Sequence, residues 1–198
     1  MERRQFLQFV GGSFAASLAA YPFALSASIK STDPLSFSGE EWQAMEAICD
    51  QILPPVSGIS TRQVNCVNFI DKLLAHEERK LRGLYRDGLA ALNAAAGSDV
   101  PAAYTGLSSQ RQTRLLEQLE DGRITGWQAP ATPQAPFFQT LYFHTLLGFL
   151  AAPSFGGNRG EQGWKAVGFP GHLHESGGIS DQQVEGSNRR IQAIVVSE

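Results

Sequence analysis

Two histidines near the carboxyl end of the 198-residue chain have the spacing of a metal-binding pair. His172 and His174 form an H-x-H sequence, and Glu175 follows directly. Imidazole and carboxylate groups bind zinc, but a catalytic zinc site needs three protein ligands. No further ligand stands at a convincing spacing. The sequence therefore favours a solvated loop, and a metal-dependent enzyme remains an alternative.

The other candidate acids and bases have structural interpretations. His144 lies among large apolar residues in a predicted helix, which is typical of a core or interface histidine. Asp50 and Asp71 fall in predicted helices, where each can accept an N–H or an arginine from elsewhere in the fold. Gly156-Gly157-Asn158 is too short for a dinucleotide-binding fingerprint and follows a predicted helix rather than a strand. We therefore expect no catalytic, cofactor-binding or metal-binding residue in this chain.

The first residues predict export. Arg3 and Arg4 precede Phe6 and Leu7, and a moderately apolar run over residues 9–25 follows, interrupted by glycine and serine. Paired arginines before such a run are typical of a twin-arginine signal peptide. The run is short and rich in small residues, whereas a membrane span needs about 20 mainly apolar ones. We expect cleavage and a periplasmic location, with any membrane association made through partner subunits.

The expected mature domain covers residues 27–198, after removal of a signal peptide at residues 1–26. This length suits one domain with a hydrophobic core. The hydrophobic share of 42% and the charged share of 18% are ordinary for a globular protein. The formal net charge of -3 lacks the basic excess that binding to a phosphate backbone requires. Nucleic acid is therefore excluded as an expected partner.

Cys49 and Cys66 leave two interpretations open. An even pair of cysteines in an exported chain is compatible with a disulfide, because the periplasm is oxidising. Such a bridge would raise the free energy of unfolding by about 3 kcal/mol. Alternatively, both are buried free thiols that act as small hydrophobic side chains. The sequence alone does not decide between them.

Hydrophobic periodicity predicts an all-α fold, an irregular bundle of about five helices. The first helix begins with a capping box, in which Ser38 and Glu41 satisfy each other's backbone N–H groups. It ends at Leu53-Pro54-Pro55, because proline has no N–H to continue a helix. The second helix is expected to begin at Thr61, and the third to run from Glu77 to Ala96 with Gly97 as its cap. The fourth is expected to begin with a second capping box at Ser109 to Gln112 and to stop at Gly122. The fifth is expected from Phe137 to about Leu150.

The composition changes after Ala151. Glycines crowd this segment, and no helical period is visible, so the sequence predicts a long Gly-rich C-terminal coil rather than a helix. The same segment contains Phe155, Trp164 and Phe169. Because disordered linkers rarely contain large aromatic residues, we expect the coil to be ordered.

Four motifs after the twin-arginine leader carry a resemblance to a known family. They are Ile52-Leu53-Pro54-Pro55, the run from Val67 to Leu74, the segment Pro153 to Asn158 with its Gly-Gly-Asn, and Gly163-Trp164-Lys165-Ala166-Val167-Gly168-Phe169-Pro170-Gly171. In this order the chain resembles the gluconate 2-dehydrogenase subunit 3 family over nearly its whole expected mature length. The two glycine-containing motifs are the most specific part of the resemblance.

The resemblance implies a non-catalytic small subunit of a periplasmic sugar or polyol dehydrogenase. The large subunit of such a complex is an FAD-containing flavoprotein of the glucose-methanol-choline type, and a multihaem cytochrome c often completes it. FAD and haem c would then belong to partners, and this chain would hold no cofactor. The large subunit commonly lacks its own signal, so the small subunit would act like a chaperone in its export, maturation and stability.

The Gly-rich segment is the expected partner interface. Burying a large apolar side chain stabilises a protein by about 1.5 to 3 kcal/mol, so its aromatic residues need cover. Aromatic anchors are enriched at the centres of stable interfaces. A sugar-binding module, in which Trp164 and Phe155 stack on a sugar, is an alternative. The expected interface residues are Phe155, Gly156, Gly157, Asn158, Trp164, Phe169 and Pro170.

Replacing Arg3 and Arg4 together by lysine should abolish export, because the twin-arginine pathway reads both guanidinium groups. Cell fractionation should then find the chain, and any signal-less partner, in the cytoplasm. Normal periplasmic recovery of the double variant would refute the assignment of the leader.

Overall fold

The computed structural model describes residues 34–97 and 104–169, and within them the chain folds into helices without a β-strand. This confirms the predicted all-α, irregular bundle, with one more helix than expected. Short 3-10 helices lie at Arg79–Leu81, Pro153–Phe155 and Arg159–Glu161. The α-helices are α1 (Gly39–Ile52), α2 (Cys66–Ala75), α3 (Arg82–Ala96), α4 (Ser109–Glu120), α5 (Gln134–Leu150) and α6 (Gln162–Ala166).

Helix α1 begins and ends as its sequence predicts. The Ser38 side chain accepts the Glu41 N–H at 3.2 Å, and the Glu41 carboxylate accepts the Ser38 N–H at 2.7 Å. At the other end Leu53 donates its N–H to the Cys49 carbonyl and closes the last turn. Pro54-Pro55 follows and cannot extend the ladder.

Helix α2 begins at Cys66, five residues later than expected. Asn65 adopts a left-handed conformation, with φ of 60°, which interrupts the helical path before it. Thr61 donates its hydroxyl proton to the Asp50 carboxylate instead of starting a helix. Arg62 binds the same carboxylate at 2.7 Å, so the expected structural role of Asp50 is confirmed.

The starts of the next three helices also differ from the prediction. Helix α3 begins at Arg82, because a 3-10 turn precedes it. The prediction of a second capping box is wrong. Ser108 is the N-cap of α4, and its side chain makes no capping hydrogen bond. The Gln112 side chain instead turns inward and donates to the Tyr104 carbonyl at 3.0 Å. Helix α5 begins three residues earlier than expected, since a proline in the first turn is tolerated. The expected cap at Gly97 is confirmed.

Helix α5 is the centre of the bundle and packs against each of the other five described helices. It contains no Asp, Glu, Lys or Arg over its 17 residues, so almost any of its faces can be buried without desolvating a charge. Its buried face follows helical spacing and consists of Phe137, Phe138, Leu141, His144, Thr145, Gly148 and Phe149.

The segment that precedes α1 is held against the bundle by hydrogen bonds to one buried carboxylate. Asp71 on α2 is 2% exposed. Its oxygens accept the N–H groups of Leu35, Ser36 and Phe37 at 2.7, 2.8 and 3.0 Å. Phe37 then packs on Tyr85 of α3, with ring centroids 5.8 Å apart. The structural role expected of Asp71 is confirmed, and it fixes the segment that precedes α1.

Cys49 and Cys66 are free, buried thiols. The structure therefore agrees with the interpretation as buried free thiols and not with a disulfide. The Cys49 Sγ lies 3.4 Å from the Thr145 Oγ1, and the Cys66 Sγ donates to the Thr145 carbonyl at 3.3 Å. A hydrogen bond with Cys49, and then burial, hold the pKa of Cys66 well above its usual value. Both thiols fill space between α1, α2 and α5, as small hydrophobic side chains would.

Helix α3 approaches α5 closely at Gly88, which generates a stability prediction. A Cβ added at Gly88 would lie 2.5 Å from the Phe137 ring, which is fully buried and has no room to move. Gly88→Ala should therefore lower the free energy of unfolding by about 1 to 3 kcal/mol in urea denaturation.

Gly83→Ala on the same helix is the matched control. A Cβ there meets nothing within 4 Å. It should leave stability unchanged or raise it by up to about 1 kcal/mol, because alanine favours the helix. Equal stability of the two variants would contradict the close contact between α3 and α5.

Candidate functional site

The Gly-rich segment after α5 folds back over the carboxyl end of that helix. It forms the 3-10 turns Pro153–Phe155 and Arg159–Glu161 and then helix α6. The prediction of a coil without a helix is therefore wrong at α6. Hydrogen bonds to distant residues hold this helix in place. The local sequence pattern therefore gave no sign of it.

Asn158 holds this segment together and is fully buried. Its backbone N–H donates to the Gly148 carbonyl of α5 at 3.0 Å. Its side-chain Nδ2 donates to the Ala151 carbonyl at 3.0 Å, and its Oδ1 accepts the Gly163 N–H at 2.8 Å. The residue adopts a left-handed conformation, with φ of 43°, which asparagine tolerates better than most side chains. One side chain thus joins the end of α5 to the start of α6.

The glycines of the segment permit contact with the backbone of α5. A Cβ at Gly157 would lie 2.3 Å from the Gly148 carbonyl oxygen, and one at Gly163 would lie 1.9 Å from the Phe149 carbonyl oxygen. Backbone atoms cannot move aside as a flexible side chain can. The Gly-Gly-Asn motif and Gly163 are therefore required by close packing within this chain.

The aromatic residues of the segment differ in exposure. Trp164 is 7% exposed and donates its indole N–H to the Leu150 carbonyl at 2.6 Å. Phe169 packs edge-on against Trp164, with centroids 5.3 Å apart, and Phe155 is half-buried against the core. Trp164 is too buried to stack on a sugar, which argues against the sugar-binding module. Contact between this segment and another subunit stays a prediction, for which Phe155 and Phe169 retain accessible surface.

The remaining residues singled out by sequence lie outside the described residues. They are Arg3, Arg4, Phe6 and Leu7 of the leader, and Pro170, His172 and His174 beyond α6.

His144 is a core residue, as its neighbours predict. It is 5% exposed on α5, and its Nδ1 lies 2.8 Å from the Tyr85 hydroxyl. The two rings stack with centroids 5.9 Å apart. Burial lowers the pKa of His144 from 6.5 to about 4, so the imidazole is neutral near neutral pH. It has no access to a substrate.

Two clefts in the described part of the chain do not bring a nucleophile and a base together. The larger, about 560 Å³, is lined by Arg62, Glu46 and Asp50. Arg62 already pairs with both carboxylates, with Glu46 at 2.6 Å and with Asp50 at 2.7 Å. A smaller cleft of about 250 Å³ is lined mainly by alanines, Pro130 and polar groups near Asp87. Over residues 34–97 and 104–169, no three His, Cys, Asp or Glu side chains are arranged to hold a metal.

A surface of α5 that sequence analysis did not single out remains accessible. We call it the outward stripe, and it consists of Gln139, Phe143, Leu146, Leu147 and Leu150. Phe143 is 46% exposed, the highest value among the exposed large apolar side chains of the described residues. The three leucines are half-buried. The absence of charge from 134 to 150 was the signal that could have revealed it.

The outward stripe belongs to a helix that is uncharged on all sides but short. No helix in the described part of the chain has the length and apolar character needed to cross a bilayer.

Comparison with known proteins gives a family match. The model for gluconate 2-dehydrogenase subunit 3 matches residues 39–171. The match includes all six helices and both glycine-containing motifs. Searches of curated proteins and of solved structures gave no match.

The buried His144 predicts a pH dependence of stability. The folded state keeps the imidazole neutral down to about pH 4, whereas the unfolded chain takes up a proton below about 6.5. The free energy of unfolding should therefore fall by about 3 kcal/mol as the pH drops through this window, and this contribution should level off below it.

His144→Asn is the matched variant, because its side-chain oxygen takes the place of Nδ1 and can accept the Tyr85 hydroxyl proton but does not titrate. Urea denaturation across the window should show a weaker pH dependence for this variant than for the wild type. An identical pH dependence of both proteins would show that His144 does not titrate as described.

Proposed function

The chain belongs to the gluconate 2-dehydrogenase subunit 3 family, and we propose that it is the non-catalytic small subunit of an FAD-dependent sugar or polyol dehydrogenase. Its role is to bind the flavoprotein subunit, stabilise it and take it through export. The family name itself denotes one subunit of a dehydrogenase complex, which supports a protein partner for this chain.

The observation that carries this proposal is the family match combined with the surface of α5. The match covers residues 39–171, which include every described helix. The described surface offers an uncharged apolar stripe with a half-exposed Phe143. Such a surface suits a lasting protein contact, since permanent interfaces are more hydrophobic than transient ones.

The flavin is assigned to the large subunit, a glucose-methanol-choline type flavoprotein. A dinucleotide fingerprint sits on a strand-to-helix turn, and the described residues contain no strand. The described residues therefore offer no fingerprint of this kind, which supports placing FAD in the partner, and no step of the oxidation is assigned to this chain. A multihaem cytochrome c with haem c is the candidate third subunit.

Export through the twin-arginine pathway completes the proposal. Arg3 and Arg4 provide the signal, and this pathway carries proteins that are already folded. Assembly with a cofactor-bearing partner would then precede transport to the periplasm. The small subunit would supply the signal for both chains.

Co-expression with a candidate flavoprotein subunit, sought in the neighbouring reading frames, tests this function. An affinity tag on this chain should recover the flavoprotein in a fixed ratio, with flavin absorbance and sugar- or polyol-dependent reduction of a dye. The chain expressed alone should carry neither flavin nor activity. Stoichiometric flavin or turnover on the isolated chain would overturn the proposal.

The flavoprotein expressed alone is the necessary control. It should be less soluble or remain cytoplasmic, because it then lacks both its stabilising subunit and the signal. Full yield and normal export of the flavoprotein without this chain would remove the proposed role in maturation and export.

A further inference from the structure

We draw no further inference here: the strongest candidate, the outward stripe of α5 around Phe143, is an uncharged helix face that carries nothing, because nothing in the described part of the structure shows what covers it.

Discussion

The packing of one uncharged helix determines the rest of the structure. Because α5 has no formal charge, the other five described helices can pack around it without burying an ionised group. The two polar side chains buried on α5 are paired within the chain, His144 with the Tyr85 hydroxyl and Thr145 with the Leu141 carbonyl. The same absence of charge leaves its accessible side apolar, so the feature that organises the core also creates a surface suited to a partner.

Glycine and asparagine in the segment after α5 serve this packing. Gly157 and Gly163 let the backbone approach the carbonyl groups of α5, and Asn158 joins the two ends of the segment through three hydrogen bonds. These residues carried the resemblance to the family. Their contacts lie within the chain. Motifs of this kind therefore indicate how the chain folds, and they do not by themselves indicate an interface.

Much of the fold could be predicted from the sequence where the cause is local. The capping box at Ser38 and the end of α1 before Pro54-Pro55 depend on neighbouring residues, and both predictions are confirmed. Predictions failed where distant residues decide the conformation. Asn65 shortens α2 because of its left-handed conformation, and α6 forms through bonds to α5 that no local pattern displays. Exposure of Phe143 also depends on which helices surround α5, and periodicity alone does not specify that.

Side-chain labelling of the chain by hydroxyl radicals tests the central claim, the packing of the bundle around α5, most directly. Labelling reports solvent access at each side chain and does not depend on a substitution. We predict strong labelling of Phe143, on the accessible side of α5, and weak labelling of Phe137 and Phe149, which the same helix buries in the core. Labelling of Phe137 and Phe149 as strong as that of Phe143 would contradict this packing.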